Sequence, residues 1–356
     1  MNNYTPFLKL KTNEVTALSE VDISLQYELT PFFDFPRDNK AMSEEKFITK
    51  AGKAQKSIAK HLKNIPSFYL DNFDIDSNLT IDGNSNYNYL LELFSNLPMI
   101  PVVGIDRNDA HINSVINAKK TSVLNGNQIA IRFTPEDFEE FELVADDIED
   151  MLNEVIEMFE EVDIIFDCRV CINQNVNTLS LNIIDFIKKF TNTYEVNKII
   201  ITGSSIPASI SDIISTDTEI EQIRNELSIF NIIFKTQSMQ FNLFLGDYGV
   251  VSPNYSDINI KSSLMRTVTA PKILYPFEKK HFIIRGRGLQ QYGNGQYNTL
   301  SKLLVSKHFY RGNTYSYGDN FLEEKSLNKG NQVTQSTILK PTINAHITYM
   351  LNDYTY

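Results

Sequence analysis

Eight short apolar runs in this 356-residue chain end on groups that can do chemistry: Lys11, Asp34, Asp71, Asp106, Arg132, Asp167, Ser204 and Asp247. As parallel strands of one barrel, the runs would bring those ends onto one rim, the face on which barrels of this type carry function. Asp167 and Asp247 then offer two carboxylates for acid and base work on a glycosidic or phosphate-ester bond. Together with Asp34 such carboxylates also present oxygen ligands suited to Mg²⁺. Lys11, Asp34, Asp167 and Asp247 are the candidate catalytic groups, and Arg132, Ser204 and Tyr248 are candidate ligand-binding groups beside them. Neither the acid pair nor the Mg²⁺ set has a diagnostic spacing, and strand ends are also polar simply because they meet solvent.

Lys9 and Lys11 lie two apart and point to one face of the first strand, opposite Leu8 and Leu10. Lys9 is thereby placed inside the barrel, as a further ligand-binding candidate, where its ammonium requires a carboxylate. The second and eighth strands flank the first in a closed barrel, so Asp34 and Asp247 are its expected partners. Such a pair serves structure as readily as function. Gly203-Ser204-Ser205 can present backbone amides to a phosphate, while the absence of a GxSxG elbow argues against a serine hydrolase.

Arg285, Arg287 and Arg311 stand next to glycines that let a ligand approach the guanidinium, a group that grips phosphate through two parallel hydrogen bonds. Tyr292, Tyr297, Tyr310, Tyr315 and Tyr317 are interleaved with them. Stacking on nucleobases accounts for that pattern, and so does packing of the segment onto the rest of the chain. The histidines, His61, His111, His281, His308 and His346, show no metal-ligand spacing. Cys168 and Cys171 form a CxxC with no second pair to complete a zinc site, so reduced, structural thiols are expected.

The elements that must position these groups follow from periodicity. The apolar runs at 6–11, 30–35, 67–71, 99–106, 128–134, 163–169, 198–204 and 241–248 have the length and Ile, Val and Phe content of strands buried on both faces. Helices are predicted between them at 43–64, 87–96, 109–121, 178–190 and 218–234. Another is predicted over 135–161, where apolar residues recur at steps of three and four among thirteen acids and no base. Thr134, Pro135, Glu136 and Asp137 read as its capped, acidic start. An open doubly wound sheet is the alternative, but Thr12-Asn13-Glu14 stands where a GxGxxG turn would follow the first strand. The count of eight and that missing turn favour an α/β fold, a (β/α)8 TIM-like barrel over 1–250. A C-terminal α+β extension over 251–356 is expected to pack on it, with a strand at 281–285, a helix at 297–307 and a strand at 345–351.

Charge divides the chain in the same place. Residues 1–249 hold 20 Lys and Arg against 38 Asp and Glu, a net −18, and residues 250–356 hold 13 against 6, a net +7. The acidic whole argues against unspecific nucleic-acid binding, whereas the basic extension offers a local surface for a nucleotide or nucleic acid. No run of 18 apolar residues predicts a membrane span. The polar, uncharged opening at Met1 to Thr5 predicts no secretory signal, and a cytoplasmic location is expected.

A set of segments in fixed order resembles the bacterial and phage beta protein family. The set opens with Tyr4-Thr5-Pro6-Phe7-Leu8-Lys9-Leu10-Lys11, Glu14, Ala17-Leu18 and Leu29-Thr30-Pro31-Phe32-Phe33-Asp34-Phe35-Pro36. It continues with Gly246-Asp247-Tyr248, Ile284-Arg285-Gly286-Arg287, Tyr310-Arg311-Gly312, Tyr317-Gly318-Asp319, Gly330-Asn331 and Ile343-Asn344-Ala345-His346-Ile347-Thr348. The likeness covers nearly the whole chain. Where the family usually shows paired histidines this chain has Ala345-His346, and a tryptophan expected shortly before is missing. His346 alone therefore carries over, as a ligand-binding candidate. The resemblance implies a barrel fold and an association with phages, mobile elements and neighbouring defence genes; it implies no reaction.

Two functions fit these readings. In one, the rim is a ligand or catalytic site for a phosphate- or sugar-bearing molecule, used in phage–host conflict, with hydrolysis of a phosphodiester or glycosidic bond as its chemistry. In the other, the protein is a non-catalytic scaffold that recognises a partner protein encoded in the same locus.

Overall fold

Strands of this chain turn one face inward and one outward, and that alternation organises the fold. The computed structural model describes residues 3–38, 41–256 and 269–356. In chain order its strands are β1 (Tyr4–Lys9), β2 (Phe32–Asp34), β3 (Phe68–Asp71), β4 (Thr80–Ile81), β5 (Asn84–Ser85), β6 (Met99–Val103) and β7 (Gln128–Phe133). They continue with β8 (Glu161–Val170), β9 (Lys198–Ser204), β10 (Thr218–Ile223), β11 (Leu243–Asp247), β12 (Lys272–Phe277) and β13 (Lys280–Arg285). β1, β2, β3, β6, β7, β8, β9 and β11 close into a parallel barrel in chain order, each overlapping one of the eight predicted runs. Helices lie between successive strands, so the fold is the expected (β/α)8 type with further elements.

Phe7, Phe32, Tyr69, Ile100, Val102, Ala130, Ile165, Ile200 and Tyr248 fill the interior as one cluster. Their neighbours one position away, such as Leu8, Phe33, Leu70, Ile131, Ile164 and Ile201, pack outward against the helices. Gly246 faces inward: a Cβ there would meet the Phe7 ring at 2.7 Å and the Thr202 Cβ at 2.8 Å, so only glycine admits the Phe7–Phe32 stack. Asn108 and Asn175 cap the helices Asp109–Lys120 and Val176–Phe190. These caps satisfy amides at helix starts directly behind the C-terminal rim.

Three predicted elements are corrected. The helix predicted over 135–161 is shorter and interrupted, with 3₁₀ turns at Phe141–Leu143 and Ile156–Met158 around the helix Ala145–Val155. Thr134 does not cap it; its amide and hydroxyl both donate to the Asp137 carboxylate, closing a turn. Residues 218–223 form β10 rather than the start of a helix, because pairing with β13 overrides the helical propensity of Glu219, Glu221 and Gln222. The strand predicted at 345–351 is part of the helix Leu339–Asn352. That helix is buried almost all round, and without a polar stripe a short apolar segment carries no helical period to read.

β10, β13 and β12 form an antiparallel sheet, so the C-terminal part takes its edge strand from between barrel strands β9 and β11. The helices Gln296–Val305, Tyr317–Ser326 and Leu339–Asn352 cover one face of it, around Ile273, Tyr275, Ile284, Tyr297 and Leu304. Gly318 lets two of them touch, since a Cβ there would overlap the Pro341 carbonyl oxygen. Among the described residues no helix is long and apolar enough to cross a membrane.

Candidate functional site

Inward-facing positions near the ends of β2, β3, β7 and β8 place Asp34, Asp71, Arg132 and Asp167 together in the C-terminal mouth of the barrel. All four are essentially inaccessible to solvent. Arg132 is the hub. Its Nη1 donates to Asp34 Oδ1 at 2.7 Å and to Asp71 Oδ2 at 2.8 Å, and its Nε donates to Asp167 Oδ2 at 3.2 Å. Its Nη2 donates to the Tyr248 hydroxyl at 2.8 Å, and that hydroxyl donates to Asp167 at 2.6 Å. Burying a guanidinium is tolerable only when its donors are met in this way.

The three carboxylates respond differently. Burial pushes Asp34 up to about 6, against the pull of Arg132 and with help from Asp74 and Asp71. Asp71 and Asp167 stay below the usual carboxylate range despite burial, Asp71 through Arg107 and Arg132, and Asp167 through Arg132 and Arg169. Asp34 is thus the acid of the mouth whose proton is exchangeable near neutrality. Lys9, its neighbour in register across β1 and β2, is lowered to about 8 by burial.

Two arginines that the sequence reading did not select complete the mouth. Arg107 Nη2 holds Asp71 at 2.8 Å, and its buried Nε has no hydrogen-bond partner among the described residues. Arg169 follows a register irregularity in β8 with φ at +49°, in the left-handed region. Its amide donates to Asp167 Oδ1 at 2.9 Å, which holds the turn. Bulges and strained residues of this kind re-aim side chains at functional sites. The Arg169 guanidinium donates to Asn254 Oδ1 at 3.1 Å and reaches the Tyr248 hydroxyl and the Pro253 carbonyl at 3.5 Å, with Asp167 at 3.6 Å and Asp74 at 4.0 Å as its ion-pair partners. The guanidinium carbons of Arg107, Arg132 and Arg169 lie 4.8, 4.4 and 4.5 Å from the Phe73 ring centre. Phe73 divides two cavities, of about 530 Å³ beside Arg37 and Asp74 and about 270 Å³ beside Asp106 and Arg107.

Alternation along β8 would have found Arg169, which shares the inward parity of Asp163, Ile165 and Asp167. Phe73, Asp74 and Arg107 lie in loops, where no period selects them.

Lys9 is inside the barrel, but its carboxylate partner is neither Asp34 nor Asp247. Its ammonium is 3.5 Å from Asp74 Oδ2, donates to the Pro253 carbonyl at 2.8 Å and sits 3.2 Å from the Tyr255 ring centre. The loop after β3 reaches over the rim and supplies the charge. Lys11 is exposed on the rim, 5.6 Å from the same ring. Asp106 is on the rim too, paired with Arg107. Ser204 faces inward but donates to the Val251 carbonyl and accepts from the Ile206 amide, so it holds a turn.

Asp247 stands on the opposite face of the sheet, because it shares the outward parity of Leu243 and Leu245. The expected Asp167–Asp247 pair therefore does not form. Asp247 instead accepts from Tyr4, Arg224 and the Gly249 amide, with His346 Nε2 at 2.9 Å. His346 is fully buried behind the barrel, stacked on His281 at 5.4 Å, and its contacts hold the helix Leu339–Asn352 to β11. Arg224 also pairs with Glu226.

Arg285, Arg287 and Arg311 make their contacts away from the mouth. Arg285 donates to the Ile214 carbonyl, Arg287 pairs with Asp217 at 2.6 Å, and Arg311 is caged by Tyr275, Tyr315 and Tyr349. Among the described residues no group of three or more acidic, histidine or cysteine side chains is arranged to hold a metal ion. Of the carboxylates considered for Mg²⁺, Asp34 and Asp167 converge on Arg132, and Asp247 lies across the wall on Arg224 and His346. Cys168 and Cys171 are unpaired and buried, and burial raises both thiols far from thiolate chemistry.

A family model described as Beta protein matches residues 4–352. No curated protein matches the chain.

Proposed function

The chain belongs to the beta protein family, and from that premise we propose that its barrel mouth binds a phosphate-bearing small molecule in the setting of phage–host conflict. The observation that carries this reading is the arginine pair around Phe73. Arg107 has a buried donor without a partner among the described residues, and Arg169, on a left-handed backbone, has its carboxylates no nearer than 3.6 Å. Guanidinium donors left in that state suit a phosphate, which takes two of them in parallel. The flanking cavities have room for a sugar or a base against Phe73. Asp34, displaced toward neutrality, is the group for proton transfer if the bound phosphodiester or glycosidic bond is hydrolysed.

A specific observation favours the scaffold reading as well: Phe73, Asp74, Pro253 and Tyr255 of the chain itself occupy much of the rim. One experiment separates the two. Calorimetric titration of the protein with nucleotides and sugar phosphates is expected to give saturable binding that Arg107→Gln with Arg169→Gln weakens at least tenfold, with loss of function in a phage-challenge assay. A folded double variant with full activity in cells would remove the mouth from consideration and leave the scaffold.

A further inference from the structure

The sheet formed by β10, β13 and β12 carries an uncompensated pair of charges on the face it turns toward the barrel. Lys272 of β12 lies directly opposite Arg285 of β13. They share the side of Leu274 and Ile283, which join the main core. Like charges facing each other across a strand pair repel, and a fold normally sets a carboxylate between them. Here none is set. Among the described residues the Lys272 ammonium has no hydrogen-bonding or ionic partner, and the charge it faces across the strand pair is that of Arg285. Arg285 gives one nitrogen to the Ile214 carbonyl at 2.6 Å and buries its Nε without a partner among the described residues. Its neighbour on the other side, Thr218 of β10, brings no charge.

Lys272 lines a cavity of about 60 Å³ together with Leu274, Tyr297, Gln335, Ile338 and Thr342, and Arg285 stands across the strand pair from Lys272, outside that lining. One water needs only about 10–15 Å³ by this measure, so the space suits a tetrahedral oxyanion. We propose that Lys272 and Arg285 form a second anion site, which takes a phosphate-sized oxyanion, either free or as the end of a larger phosphomonoester. The site shares no residue with the mouth. Burial, and then Arg285, lower the Lys272 ammonium to about 8, the displacement an anion between the two would reverse. Binding should accordingly weaken above pH 8.

Inorganic phosphate and AMP, each at constant ionic strength, are the probes, used on protein carrying Arg107→Gln and Arg169→Gln so that the mouth does not contribute. Melting temperature is expected to rise saturably with phosphate, and Lys272→Met or Arg285→Gln to weaken that response at least tenfold. Without phosphate, Lys272→Met should melt no lower than its parent, since an unpaired cation has been removed. AMP binding at least as tightly as phosphate identifies a phosphomonoester end; a response to phosphate alone identifies the free ion. Phosphorus NMR line broadening reads binding to the unsubstituted sheet independently of how the variants fold. No saturable response, or the same response in both variants, overturns the site.

Discussion

Replacement of Arg132 by methionine, which keeps the length of the stem and removes the charge, exposes the balance on which the mouth depends. Three buried carboxylates lose a shared cation, and Asp34 loses its one salt-bridge partner among the described residues. Asp34 already sits at about 6 against an ordinary 3.8. Tenfold in proton affinity is worth about 1.4 kcal/mol, so at pH 7 Asp34 can lose at most about 1.4 kcal/mol more before it simply takes up a proton. Asp71 and Asp167 start below their ordinary value and have further to rise, although Arg107 and Arg169 stay beside them. Breaking a buried pair costs about 3–5 kcal/mol, and about 4 kcal/mol is expected here at pH 7. The sign with pH follows: carboxylates stripped of their cation have raised affinity for protons in the fold, so the penalty grows as pH rises and fades as pH falls. Each unit of fall in pH lowers by about 1.4 kcal/mol the most a carboxylate can lose before it protonates, so from pH 7 to pH 5 that ceiling falls by about 2.7 kcal/mol. Urea unfolding of parent and variant should thus show a gap near 4 kcal/mol at pH 7 that shrinks by half or more at pH 5. Asp34→Asn in the Arg132→Met background should recover about 1 kcal/mol at pH 7 and little at pH 5. A gap below 1 kcal/mol at pH 7, or one that does not shrink, would refute the account of a charge-balanced hub.

Asp247→Asn is expected to lower stability by about 3–5 kcal/mol by leaving Arg224 short of a carboxylate, while ligand affinity at the mouth stays within twofold by calorimetry; a selective loss of affinity would show that the outer cluster serves the mouth. Gly246→Ala should lower stability by about 1–3 kcal/mol through overpacking against Phe7 and Thr202, read by urea unfolding, and an unchanged midpoint would show that the interior yields. His111 is buried against Tyr87, with its Nε2 at 2.9 Å from the Val102 carbonyl oxygen, and burial lowers it to about 4. The unfolded chain takes up this proton near 6.5 and the fold resists it. Stability is therefore lost as pH falls from 6.5 toward 4, and between pH 7 and 4.5 the parent should lose about 2.7 kcal/mol more than His111→Gln. Equal losses in the two would refute the assignment.

The barrel was legible because strands buried on both faces leave continuous apolar runs of fixed length, and eight of them alternating with helices leave few topologies. Elements whose state is set by a neighbour were not legible. β10 is a strand because β13 pairs with it, and Leu339–Asn352 is a helix wrapped in apolar contacts. The site divided along the same line. Asp34, Asp71, Arg132 and Asp167 could be brought together from strand ends alone, whereas Phe73, Asp74 and Arg107 come from loops that no period describes.

Asp247 shows where a list of strand ends falls short. Being at the end of a strand places a residue at the rim, but alternation decides which side of the wall it meets. Leu243, Leu245 and Asp247 form one outward set, and Phe244, Gly246 and Tyr248 form the inward one. The inward member at the mouth is therefore Tyr248, which hydrogen-bonds to Arg132 and Asp167. The same count puts Lys9 and Lys11 with Asp34, and Arg169 with Asp167. Parity thus divides the titratable groups into two chemically separate sets. One is a mouth in which an Arg107 nitrogen has no partner among the described residues and Arg169 meets its carboxylates only at 3.6 and 4.0 Å. The other is a wall cluster in which His346, Arg224 and Asp247 bind the C-terminal helix to the barrel. The first set borders the two cavities at Phe73, which is why Arg107 and Arg169, rather than Asp247 and His346, are the residues to substitute first.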